Sequence, residues 1–286
     1  MFVQLNNQRI FFDVAGTQLE LEGPLMRDKL SLLVLHGGPG FDHSGFRPSF
    51  DQFSDIAQVI YIDHRGNGRS TPSNPDTWTL DQWGDDIFEF CQALGIEKPV
   101  VMGQSFGGMV AQSYMTRHPD HPRAVILSST AARMDFEASF KIFEKKGGSA
   151  ALAVAERFWR DGDDAVFAEY MRICMPLYNT TVHPDGQNSR LRAITRTEVY
   201  RHFSLPGREI RRMDFRIALR HVMCPVMVLS GVEDPITPPH LADEILTSLP
   251  VGLVEGHCYE RCGHGAFRDD PDRVFADIRQ FLKKVS

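Results

Sequence analysis

The stretch Val100-Val101-Met102-Gly103-Gln104-Ser105-Phe106-Gly107-Gly108 runs from a short apolar segment into a serine set among glycines, and Val110, Ala111, Tyr114 and Met115 follow at helical spacing. A brief continuous apolar run ended by glycine reads as a buried strand, so Ser105 is expected on a sharp turn from strand to helix. Neighbours without a Cβ let the chain pass close on either side of so tight a turn. The helix would aim its free N-terminal amides at whatever the serine touches, favouring negative charge there. The competing reading of a Gly/Ser turn is a phosphate loop, but neither G-x-G-x-x-G nor G-x-x-x-x-G-K-[ST] spacing is present.

Working outward, the same strand pattern recurs. Leu32 to Leu35 ends at His36-Gly37-Gly38-Pro39-Gly40, and Val59 to Ile62 ends at Asp63-His64-Arg65-Gly66. Val125 to Leu127 and Val226 to Leu229 supply further apolar runs. Between them Leu80, Trp83, Ile87, Phe90, Cys91 and Leu94 recur at intervals of three and four, with Gly95 as a stop. Apolar strands alternating with amphipathic helices predict an α/β protein with a mostly parallel sheet covered on both faces. Arg9 to Val14 and Thr17 to Leu21 alternate apolar and polar residues around Ala15-Gly16, which predicts an N-terminal antiparallel hairpin. From about Ala131 to Phe215 the rhythm breaks into helical segments, including Ala151 to Arg160 and Asp164 to Met175. The expected organisation is therefore a core over 1–130, a helical lid inserted at 131–215, and a core resumed over 216–286. A final helix is expected from Pro271 to Leu282.

Bulk properties narrow the function. The chain has 286 residues, 42% hydrophobic and 24% charged, as an ordinary globular protein does. A net charge of −6 gives no cationic footprint for nucleic acid. No apolar run approaches the roughly 20 residues that cross a bilayer, and residues 1–15 do not read as a signal peptide, so a cytoplasmic address is expected. Five scattered cysteines do not form a disulfide framework. Cys258 and Cys262 lie near His264, but no second ligand pair at zinc spacing accompanies them, so no metal and no cofactor are expected.

His36 to Gly40, Asp63-His64-Arg65-Gly66-Asn67-Gly68-Arg69-Ser70, Gly103 to Gly108, Gly231 to Pro238 and Gly263-His264 together resemble the proline iminopeptidase branch of the α/β-hydrolases. The resemblance spans about residue 30 to the C-terminus. It implies the α/β-hydrolase fold and a serine hydrolase working through an acyl-enzyme. A serine hydroxyl needs a base to take its proton, and eleven histidines are available. In the chain order of this superfamily the acid and then the histidine follow the serine. That order selects His264, just ahead of the Pro271 helix, with His257 as the nearest rival. It selects Asp234 in the loop after Val226 to Ser230, with Glu233 competing. The oxyanion donors implied are the amide of Phe106 and that of Gly38, or of Gly37 next.

The branch also implies release of an N-terminal proline from peptides, which requires a carboxylate to hold the substrate ammonium. In some members two glutamates do this; the corresponding positions here are Pro235 and His202. Glu198, Glu209 or Glu233 could substitute. The expected activity is hydrolysis of an ester, lactone or amide of a small substrate. Prolyl aminopeptidase activity on short peptides is the alternative, and a non-enzymatic ligand receptor on the same fold the second. Gly37, His202 and Trp159 are the candidate substrate contacts, with Phe136, Phe140, Phe143, Phe158, Phe167 and Tyr170 as further candidates for an apolar pocket. The oligomeric state is not readable from the sequence.

Overall fold

The computed structural model describes residues 1–6, 8–161, 164–182, 188 and 191–286. Its core is an eight-stranded sheet in the order β1-β2-β6-β5-β7-β8-β9-β10. Strands β1 (Phe2–Leu5) and β2 (Gln8–Ala15) are antiparallel to each other, and β2 is antiparallel to β6 (Ala57–Ile62). The pairs from β6 through β5 (Leu30–Leu35), β7 (Val100–Gln104), β8 (Ala124–Ser128), β9 (Val226–Gly231) and β10 (Val254–Tyr259) are all parallel.

The central strands read as unbroken apolar runs because both faces are covered. Leu33, Leu35, Ile60, Ile62 and Val101 pack on one side with α1 (Leu80–Leu94) and α2 (Phe106–Arg117). Leu32, Val34, Val59, Tyr61, Val100 and Met102 pack on the other with Phe50, Phe53 and α7 (Pro271–Val285). Helix α1 starts at the Thr79 cap and ends at Gly95, whose φ of +68° suits a residue without a Cβ.

The N-terminal hairpin exists, but with other partners than the sequence suggested. Residues 9–14 pair with β1 before them, in the register Val3↔Ile10, which buries Val3, Leu5, Ile10 and Phe12 together. Residues 17–21 turn away. They form β3 (Leu19–Glu22), which pairs only with β4 (Leu25–Asp28) in a separate two-stranded sheet. Alternation alone did not separate the two, since Leu21 and Leu25 are exposed despite their pattern.

Among the described residues between β8 and β9 no strand occurs. The helices there are α3 (Phe136–Glu156), kinked at Gly148, α4 (Phe167–Ile173) and α5 (Thr197–Ser204). Phe140, Phe143, Phe158, Trp159 and Tyr170 form a cluster of their own that also takes in Ile236 from the loop after β9. Residues 162–163, 183–187 and 189–190 of the expected lid lie outside the described residues. Helix α6 (Pro239–Ser248) lies between β9 and β10. No helix of the described residues is long and apolar enough to cross a membrane.

Candidate active site

Ser105 sits between β7 and α2 with φ +55° and ψ −120°, a conformation costly for a residue with a side chain. The surroundings enforce it. Its amide donates to Ser128 O (2.9 Å), and its carbonyl accepts from Thr130 Oγ1 (2.7 Å) and from Gly108 N (2.9 Å). A Cβ at Gly107 would stand 2.2 Å from Leu35 O, so only glycine lets α2 approach β5 this closely. The first amide of α2, that of Phe106, precedes the helix's first hydrogen bonds and so has no intrahelical acceptor.

Asp234 and His264 meet beyond the ends of β9 and β10. His264 Nδ1 donates to Asp234 Oδ2 (2.9 Å) and Oδ1 (3.1 Å), with both side chains buried. The carboxylate also accepts from Ile236 N (2.8 Å), Thr237 N (2.9 Å) and Thr237 Oγ1 (2.8 Å). These donors fix the orientation of the carboxylate against the imidazole. With Nδ1 held as the donor, Nε2 is left as the acceptor nitrogen. The rivals lie elsewhere. Glu233 is not among the residues lining the cavity, its backbone carbonyl accepting from Lys146 Nζ (2.8 Å), and His257 lies on β10 beside Asp277 (3.4 Å).

Gly37 and Gly38 lie alongside the elbow: a Cβ on Gly37 would reach Ser105 Cβ at 3.2 Å, and Gly38 has φ +126°. The loop they belong to is held by the Asp63–Ser70 segment. Asn67 Oδ1 accepts from Gly40 N (2.9 Å), and His36 Nε2 accepts from His64 N (3.1 Å) while its Nδ1 donates to Gly37 O (2.8 Å). Asp63 in turn accepts from His43 and from Arg69 N, and Arg65 forms a buried ion pair with Asp86. These residues therefore brace the glycine loop; they do not face the cavity, except His36.

A cavity of about 500 Å³ joins the pieces: His36, Gly37, Gly38, Gln104, Ser105 and His264 on one wall, the helical region on the other. Of the candidate aromatics, Phe158, Trp159, Phe167 and Tyr170 line it, whereas Phe136, Phe140 and Phe143 pack inside the helical region. Phe158 is stacked between Tyr170 (4.0 Å between ring centres) and Tyr200 (4.7 Å). Trp159 Nε1 donates to Tyr170 Oη (2.8 Å), which lies 2.8 Å from Tyr178 Oη. His202 is not part of the wall. Its Nε2 donates to Trp78 O (2.7 Å) on the far side of α5, which corrects its assignment as a substrate contact.

Asp42 is the one carboxylate among the described lining residues, and it is fully engaged. Oδ1 accepts from Ser44 N (3.0 Å) and Oγ (2.6 Å), and Oδ2 from Arg69 Nη1 (3.1 Å) and Ile194 N (3.1 Å). Of the glutamates named above as substitutes, Glu209 accepts from Leu80 N (3.0 Å), Glu198 lines a separate small pocket, and Glu233 lies outside the cavity wall. Sequence reasoning missed Tyr178, Tyr200, Met171 and Met175 on the wall, since nothing in the helical pattern says which face looks inward. It also missed Thr237, although a threonine three residues after an aspartate is a turn signal.

A family model described as the α/β hydrolase fold matches residues 31–158. A proline iminopeptidase of Clostridium botulinum is 27% identical over 285 residues, covering 94% of this chain and 94% of that one. The crystal structure of the proline iminopeptidase of Mycobacterium smegmatis is similar with a TM-score of 0.80 at 22% identity, covering 100% of this chain and 98% of that one. A thermophilic esterase from Thermogutta terrifontis is similar with a TM-score of 0.68 at 26% identity, covering 100% and 98%. The chain is a hydrolase of the α/β-hydrolase fold. Among the relatives it is similar to are several proline iminopeptidases, at 22–27% identity.

Proposed function

We propose that the protein hydrolyses an ester, lactone or amide of a small substrate that carries no free amine next to the scissile bond. Ser105 is the nucleophile, His264 the base and Asp234 the residue that orients and charges the base. The reading is carried by one observation: His264, hydrogen-bonded from behind to the buried Asp234, lines the same cavity as the strained Ser105.

In the first half-reaction Ser105 Oγ bonds to the carbonyl carbon as its proton passes to His264 Nε2. The carbonyl oxygen becomes an oxyanion held by the amides of Phe106 and Gly38. Collapse breaks the bond to the leaving group, which takes the proton from His264. Water then attacks the acyl-enzyme by the same route, releasing the acid and restoring Ser105. Asp234 stays ionised throughout and stabilises the imidazolium. Each step needs only protons and electron pairs that serine, histidine and water supply.

Prolyl aminopeptidase activity is the second reading, favoured by the similarity to the Clostridium botulinum enzyme. Against it stands the cavity wall, where the single described carboxylate, Asp42, already has four donors. An ammonium buried without an anion is costly. A parallel assay on short p-nitrophenyl esters, simple lactones and proline p-nitroanilide decides between them. Expected is turnover of the esters, and a kcat/KM for acetyl-capped proline p-nitroanilide at least about 100-fold above that for the free-amine form, the worth of an unmet charge of roughly 3 kcal/mol. Faster turnover of the proline anilide than of its acetyl-capped form reverses the assignment.

A further inference from the structure

The loop that carries His264 is gripped from outside the sheet. His264 N donates to Tyr178 O (2.6 Å), and Asn179 Nδ2 donates to His264 O (3.1 Å), so one short segment of the helical region holds both sides of the histidine backbone. Tyr178 lies edge-on to the imidazole, with ring centres 5.2 Å apart. Gly263 is pressed against the same segment: a Cβ there would stand 2.0 Å from Tyr178 O.

Asp269 ties the segment down. Oδ2 accepts from Gly263 N (2.7 Å) and Asn179 Nδ2 (3.1 Å), while Oδ1 accepts from Thr180 N (3.0 Å), Thr181 N (2.9 Å) and Thr181 Oγ1 (2.7 Å). A half-buried carboxylate thus receives three backbone amides and two side-chain donors shared between two loops. Burial works against its charge, but the Gly263 amide and the donors of Thr181 and Asn179 hold its carboxyl below the usual carboxylate range. The β10-to-α7 connection is tied to the sheet separately, by Gly265 N donating to Ser129 Oγ (2.8 Å).

Tyr178, Asn179 and Thr181 line the cavity, whereas Asp269 does not. We propose that Asp269 is a positioning residue, and that through residues 178–181 it makes the placement of the His264 base depend on the seating of the helical region over the cavity. The inference rests on the hydrolase reading above. A substrate that draws the helical region inward would then set the base in the same movement, linking binding to catalytic competence.

The test uses the full-length protein with Asp269→Asn, which keeps one carbonyl acceptor, and Asp269→Ala, which keeps none. Reactive serine is titrated with a fluorophosphonate so that kcat is expressed per active site. Expected is a graded loss of kcat per titrated serine, about 10-fold for Asp269→Asn and about 100-fold for Asp269→Ala, the scale of a misplaced catalytic group. KM should stay within about 2-fold, since Asp269 touches no substrate. A purely structural role lowers Tm and the titrated fraction but leaves kcat per site unchanged, and that result overturns the proposal while sparing the hydrolase reading. A rise in KM alone overturns it too. If Asp269→Ala does not fold, Asp269→Asn decides. An unaltered protein that takes no label overturns both.

Discussion

At the scale of single residues the proposed triad depends on how Asp234 is held. Its oxygens accept from Ile236 N, Thr237 N, Thr237 Oγ1 and His264 Nδ1. Asp234→Asn can keep the shape, but its amide would offer a donor where Nδ1–H must donate, favouring the wrong imidazole tautomer. Steady-state kinetics should show kcat lower by about 10⁴-fold with KM little changed; a loss under about 10-fold would mean that the carboxylate does not serve the histidine. Ser105 was legible because glycine spacing and a strand-to-helix context are local. Asp234 and His264 were legible only through chain order, and their meeting across 30 positions is a property of the fold. Asp269 left no signal, because its partners lie up to 90 positions away in a segment with no recognisable motif.

At the scale of elements, the strands that the sequence showed best are those buried on both faces. Residues 32–35, 59–62, 100–102, 125–127 and 226–229 all fall inside observed strands, since a doubly covered strand must be apolar throughout. Helices α1 and α7 were equally plain from their apolar stripes. The edge of the sheet was harder. Residues 9–14 and 17–21 alternate alike, yet only the first find a core, and pairing depends on partners that alternation does not name. His202 was misplaced for a related reason. A helix offers several faces, and on α5 that histidine faces Trp78 (ring centres 5.4 Å apart), not the cavity.

At the scale of the whole molecule, two buried histidines set an acid limit on stability. Burial first of all pulls His36 and His64 below the ordinary value of 6.5; the two rings also sit 4.4 Å apart, and His64 Nε2 has no hydrogen-bond partner among the described residues. His43, Asp63 and Asp42 face this pair, the carboxylates opposing the shift on His36. Well above pH 6.5 both are neutral folded or unfolded and contribute no pH dependence. As pH falls through 6.5 the unfolded chain binds protons that the native state refuses, so stability declines by up to about 1.4 kcal/mol per pH unit for each histidine. Urea midpoints between pH 7 and 5 should fall accordingly, and His64→Gln should flatten the slope; an unchanged slope would show that His64 is protonated in the native protein. The proposed function requires an activated serine on the wall of the cavity between the sheet and the helical region. Incubation of the native protein with a fluorophosphonate, followed by peptide mass spectrometry, measures this directly. Expected is a single stoichiometric adduct on Ser105 that vanishes in Ser105→Ala and forms at least about 1,000-fold more slowly in His264→Ala. An unmodified Ser105, or labelling that is as fast without His264, would contradict it.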